Sequence, residues 1–175
     1  MTRVCLVGDP EVNLRYELLS RETSREALAT YDLERPFENS LAVRTVSVGA
    51  AVSLLNDLDW YLTRFVDEAL VREPSVSGTE WLSRSLADEL RNGALEAGDT
   101  GEFCKIYGLE RPDPDEDGDG NDGEDEPAAT DGSRARPRLV EPLYVRRTDG
   151  ELPEYDLRDV PDTLVVRLTE AEFSP

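Results

Sequence analysis

The stretch Ala50–Val71, AAVSLLNDLDWYLTRFVDEALV, decides how the fold is read. Val52, Leu55, Leu58, Leu62, Phe65, Val66 and Ala69 recur at intervals of three and four residues, which puts them on one face of a helix. Asp57, Asp59, Arg64 and Asp67 fall off that stripe, and Pro74 closes the run. The spacing predicts one long amphipathic helix. Trp60 and Tyr61 are adjacent in it and cannot face the same way. One joins the core, and the other sits at a rim where a protein contact can form.

Upstream, Leu41–Val48 (LAVRTVSV) is rich in β-branched residues and reads as a strand. Before it, Asn13 can cap a helix running to Tyr31, with Leu14, Leu18, Leu28 and Tyr31 at helical spacings and Pro36 ending the region. Thr2–Val7 is a short buried strand stopped by Gly8-Asp9-Pro10. That turn stands where many α/β proteins hold phosphate, but no glycine-rich phosphate motif is present and Pro10 lacks an amide donor. Downstream, Ser77 with Glu80 forms a capping-box signature before Trp81, Leu82, Leu86 and Leu90, and Asn92-Gly93 ends that third helix. Gly101–Tyr107 (GEFCKIY) suits either a short helix or a strand.

From Arg111 to Pro137 the composition changes to Pro, Gly, Asp and Glu, with too little apolar surface to offset the entropy of ordering it. Beyond this segment Leu139–Arg147 (LVEPLYVRR) reads as a strand that Pro142 assigns to an edge or bulge. Asp149-Gly150 is a turn, and Thr163–Leu168 (TLVVRL) is the last strand. The expected fold is a compact two-layer α+β domain of about four strands and three main helices. Residues 1–110 and 138–175 belong to that one domain, and 111–137 is a disordered acidic insert.

The charge balance is uneven. The 175 residues include 39 acids against 19 bases, for a net charge of -20, with no histidine and Lys105 as the single lysine. The insert holds ten acids and three arginines, so the other 148 residues still carry 29 acids and 16 bases. Heavy carboxylate use with lysine nearly eliminated points to a cytoplasm rich in salt, where self-repulsion is screened. No signal-peptide core and no apolar run long enough to span a bilayer is visible.

Several patterns bear on chemistry. Asp113, Asp115, Asp117, Gly118 and Glu124 match the spacing of a calcium loop. Pro112, Pro114, Gly123 and Pro127 break the helices such a loop needs, which favours a solvated acidic linker. Arg134, Arg136, Arg138, Arg146 and Arg147 form the one basic cluster, suited to an anion or nucleic acid, or to neutralising the acids beside it. Without histidine the usual serine or cysteine triads are excluded, and zinc loses its commonest nitrogen ligand. No cofactor motif appears.

The runs LERPFENSLAVRTVSV (33–48), SLLNDLDWYLTRFVDEALVREPS (53–75), WLSRSLADELRNG (81–93), VEPLYVRR (140–147) and LPEYDLRDV (152–160) resemble a family of small haloarchaeal proteins of unassigned function. The resemblance implies a halophilic archaeal cytoplasm and transfers no site residue. The expected function is a non-enzymatic binding or accessory protein acting through protein contacts. The alternatives are a nucleic-acid or phosphate-binding factor that uses the arginine cluster, and a small carboxylate-based enzyme.

Overall fold

The computed structural model describes residues 1–110, 136–147 and 162–173. Its elements are β1 (Thr2–Gly8), α1 (Leu14–Leu19), α2 (Glu22–Leu28), β2 (Ser40–Thr45), α3 (Val48–Asp57), α4 (Asp59–Phe65), β3 (Val66–Arg72), β4 (Trp81–Ser83), α5 (Arg84–Arg91), β5 (Phe103–Glu110), β6 (Arg138–Arg146), β7 (Asp162–Leu168) and α6 (Glu170–Phe173). The strands form one sheet in the order β2-β1-β3-β4-β7-β5-β6, curled into a half-barrel. Every neighbouring pair is antiparallel except β4 with β7. Among the described residues, seven strands and six helices replace the expected two-layer domain of about four strands and three helices.

The correction begins in the 50–71 stretch. Helix α3 starts at Val48, where Ser47 Oγ accepts from Ala50 N at 3.0 Å, and it ends at Leu58. Helix α4 covers only Asp59–Phe65, and the chain then extends into β3. The sequence VDEALVR is compatible with both periods, since Val66 and Ala69 fall on one helical face while Leu70 and Val71 face opposite sides of a strand. Pairing settles it: β1 places Cys5 opposite Leu70 and Val4 opposite Val71, and β4 flanks β3 on its other edge. Sheet pairing outweighs the helical preference of Asp-Glu-Ala-Leu.

The same override moves other boundaries. Ser77 Oγ does accept from Glu80 N at 3.0 Å, but Trp81–Ser83 joins the sheet, and α5 starts seven residues later under a Ser83 cap. The helix expected over 13–31 breaks at Ser20-Arg21, leaving α1 capped by Asn13 and a separate α2. Strand β2 stops at Thr45, short of the expected Val48. The undecided segment 101–107 is the start of β5. Strand β6, which carries Pro142, is the edge of the sheet, and its register slips opposite Ile106–Gly108. Gly93 adopts φ 79° after α5, a stop that glycine makes without strain.

One face of β1–β4 presents Val4, Leu6, Leu41, Val43, Val71 and Leu82 to the helices, where Leu14, Leu18, Leu55, Leu58 and Leu86 are almost fully buried. The alternate residues Cys5, Val7, Ala42, Leu70 and Trp81 face inward and meet Leu164, Val166 and Leu168 of β7. Strands from both sides of residues 111–135 thus share one core. Arg136 and Pro137, expected within the insert, are pinned: Arg136 Nε donates to Arg35 O at 2.7 Å, and Pro137 O accepts from Glu38 N at 2.8 Å. The rest of the insert and the Asp149-Gly150 turn lie outside the described residues.

Candidate anion site at an arginine pair

Glu80 stands at the entry to β4, Arg147 just past β6, and Arg167 on β7, so the sheet order brings three distant stretches together. Glu80 Oε1 accepts from Arg147 Nη2 at 2.8 Å and from Arg167 Nε at 2.7 Å. All three side chains are only 14–17% exposed. Arg167 Nη1 also donates to Thr100 Oγ1 at 2.8 Å, and Arg147 Nε donates to Gly101 O at 2.9 Å. Two guanidiniums therefore share a single carboxylate, leaving one positive charge uncompensated within the trio.

Small residues make room above this trio. Ala97–Asp99 form a single 3-10 turn, and Gly101 lets the Arg167 guanidinium come within 3.5 Å of where a β-carbon would sit. The result is a cavity of about 540 Å³, walled by Val76, Ala97, Gly98, Asp99, Gly101, Glu102 and the two arginines; Glu102 is itself paired with Arg146. Among the described residues, neither Arg147 Nη1 nor Arg167 Nη2 has a hydrogen-bond partner. Both arginines, held by Glu80, line one cavity, and each keeps one guanidinium nitrogen outside its protein contacts. Planar guanidinium forks held in this way suit an oxyanion.

Protonation follows from the same contacts. Burial pushes the Glu80 carboxyl up, but hydrogen bonds and charges from Arg167 and Arg147 outweigh it and hold the group below the ordinary glutamate value. Burial raises the Cys104 thiol, opposed by Arg147. The Cys5 thiol is pushed up to about 12, also by burial, against the charges of Arg3 and Arg72. Both cysteines are free and buried, and neither environment generates a thiolate at neutral pH. Tyr107, which donates to Glu68 beside Lys105, is raised by burial and then by the Glu68 charge.

The residues singled out in the sequence are dispersed by the fold. Arg138 pairs with Glu110 and Arg146 with Glu102, while Arg147 shares Glu80 with Arg167, so the three arginines do not form one cluster. Arg134 lies outside the described residues, as do Asp113, Asp115, Asp117 and Glu124 of the calcium spacing. No group of three metal-ligating side chains occurs among the described residues. Tyr61 is buried while Trp60 is 48% exposed, with the Arg64 guanidinium 3.9 Å from its ring. Arg167 escaped the sequence reading. Its signal was a lone arginine inside the apolar run TLVVRL.

These features define a mixed-sheet half-barrel with an arginine-lined cavity, and no helix among the described residues is long and apolar enough to cross a membrane. The profile of a family of unknown function, DUF5804, matches residues 2–109, and the chain belongs to that family. Neither the curated proteins nor the solved structures contain a match.

Proposed function

We propose that this is a non-enzymatic binding protein whose ligand is a small oxyanion, a phosphate or carboxylate, held between Arg147 and Arg167. The observation that carries the reading is that two arginines sharing one carboxylate, each with an unpartnered guanidinium nitrogen, line one cavity of about 540 Å³. Protonated, buried thiols supply no nucleophile in support of an enzyme. The test is calorimetric titration with inorganic phosphate and, separately, succinate. Arg167→Gln should weaken binding at least tenfold, whereas Arg138→Gln, at an exposed pair with Glu110 outside the cavity wall, should not change it. No heat from either anion, or equal affinity in Arg167→Gln, would sink the proposal.

The setting proposed with it is the cytoplasm of a halophilic archaeon, supported by 39 acids and a single lysine. Repeating the titration in molar potassium chloride checks this, since loss of the folded state there contradicts a halophilic host.

A second reading, an accessory role through a protein contact, is favoured by the exposure of Trp60 beside the buried Tyr61. Large aromatics at rims serve as contact anchors. Under this reading, Trp60→Ala abolishes any stoichiometric association recovered by native mass spectrometry. Unchanged association would remove Trp60 from consideration.

A further inference from the structure

A second basic feature lies on the inner face of the sheet, away from the Glu80 trio, and it is carried by register. Arg3 on β1 is directly opposite Arg44 on β2 and directly opposite Arg72 on β3. The next position across, on β4, is Trp81, since Val71 pairs with Leu82. Arg3, Arg44 and Arg72 share the alternation of Cys5, Ala42 and Leu70, so all three stand on the inward side. Like charges directly opposite one another destabilise a sheet, and here there are three in a row.

The row is under-neutralised. Among the described residues, Glu34 is the one carboxylate in ion-pair contact with it, at 2.9 Å from Arg3 and 3.7 Å from Arg44. Glu34 is brought there by its bridge to Ala42 at the edge of β2. Arg72 has no carboxylate partner among the described residues and instead stacks on Trp81, 4.9 Å from the ring. Arg3 Nε is buried without a hydrogen-bond partner, and the Arg3 guanidinium also lies 5.9 Å from the Trp81 ring. Three guanidiniums and one carboxylate leave two positive charges in a protein whose net charge is -20. Burial first, and then the charges of Arg3 and Arg44, draw the Arg72 pKa below its usual value, the shift expected of cations crowded without counter-charge.

We propose that the Arg44–Arg3–Arg72 row is a binding site for a diphosphate group, either free pyrophosphate or the diphosphate of a nucleotide. Adjacent strands are about 4.8 Å apart, so the three positions span about 10 Å and offer forked donors to oxygens on two linked phosphorus centres. A diphosphate supplies the negative charge the row lacks, whereas a single carboxylate, Glu34, already occupies one end. Arg44 is 65% exposed and Arg3 21% exposed, so the row is open to solvent from the β2 side. Trp81 closes the other end and reports on it.

The experiment uses the full chain with Trp60→Phe, which leaves Trp81 as the one tryptophan of the original two. Its emission is titrated with pyrophosphate and with ADP at matched ionic strength, with calorimetry in parallel. A saturable change is expected, weakened tenfold or more by Arg72→Gln and strengthened severalfold by Glu34→Gln, which removes the competing anion. Arg167→Gln should leave this affinity unchanged, which separates the row from the Glu80 cavity. Saturation by both ligands assigns the nucleotide diphosphate, and saturation by pyrophosphate alone assigns the free anion. Arg72 also packs on Trp81, so thermal unfolding checks that its variant folds. If it does not, the exposed Arg44→Gln and Glu34→Gln variants decide. No saturable change by emission or heat, or weaker binding in Glu34→Gln, would overturn the site.

Discussion

Replacing Glu80 with glutamine is expected to lower the stability of the fold by about 3 kcal/mol, read as a fall in the denaturant midpoint at constant slope. The carboxylate is the shared acceptor for Arg147 and Arg167, and all three side chains are largely withdrawn from water. Glutamine keeps the shape and one acceptor oxygen but leaves two buried cations without counter-charge. That uncompensated charge, rather than the lost hydrogen bonds, sets the magnitude. The double variant Glu80→Gln, Arg167→Gln should recover part of the loss, because it removes one of the stranded charges. The native carboxyl titrates below its ordinary value, so its stabilisation is fully present above the unfolded-state pKa. It is lost as pH falls through the lower, folded pKa. The variant's stability should therefore vary less with acid than that of the unaltered protein. A stability within roughly a few tenths of a kcal/mol of the original would mean that the trio does not form.

A chain ending at residue 161 is expected to show no cooperative unfolding transition. Strand β7 pairs with β4 on one side and β5 on the other, so its loss separates β2-β1-β3-β4 from the β5–β6 hairpin. It also removes Leu164, Val166 and Leu168 from the inner core, each worth about 2 kcal/mol when fully buried. Trp81, 3% exposed in the full chain, would become wet. Circular dichroism on heating, with tryptophan emission, measures both effects. The same outcome is expected for residues 1–110, although the family profile ends at residue 109, because β4 and β5 meet only through β7. A sharp transition in either fragment would contradict the strand order.

How much of this was legible in the sequence depended on whether local pattern and tertiary pairing agreed. Thr2–Val7 and Thr163–Leu168 are short, β-branched and bounded, and each sits within one residue of its strand. The Asn13 cap and the Gly93 stop are local chemistry and stand where expected. The run Val66–Val71 satisfied a helical stripe and a strand equally well, and only its neighbour β1 resolves it. Ser77 illustrates the same limit: its hydrogen bond to Glu80 N forms, but a capping bond does not oblige the following residues to coil. Arg138, Arg146 and Arg147 are close in sequence, yet the register slip in β6 and different carboxylate partners disperse them. The groupings that do form join residues about twenty to almost ninety positions apart. Such contacts leave no local trace.

Lys105 has a practical consequence. It is the only side-chain amine in the protein, and it lies 13% exposed in an ion pair with Glu68 on the inner face. Acylating reagents attack free, neutral amines, so this one is shielded twice, by charge and by access. Its labelling rate, resolved from that of the Met1 α-amine by peptide mapping, becomes a clock for the opening of the half-barrel.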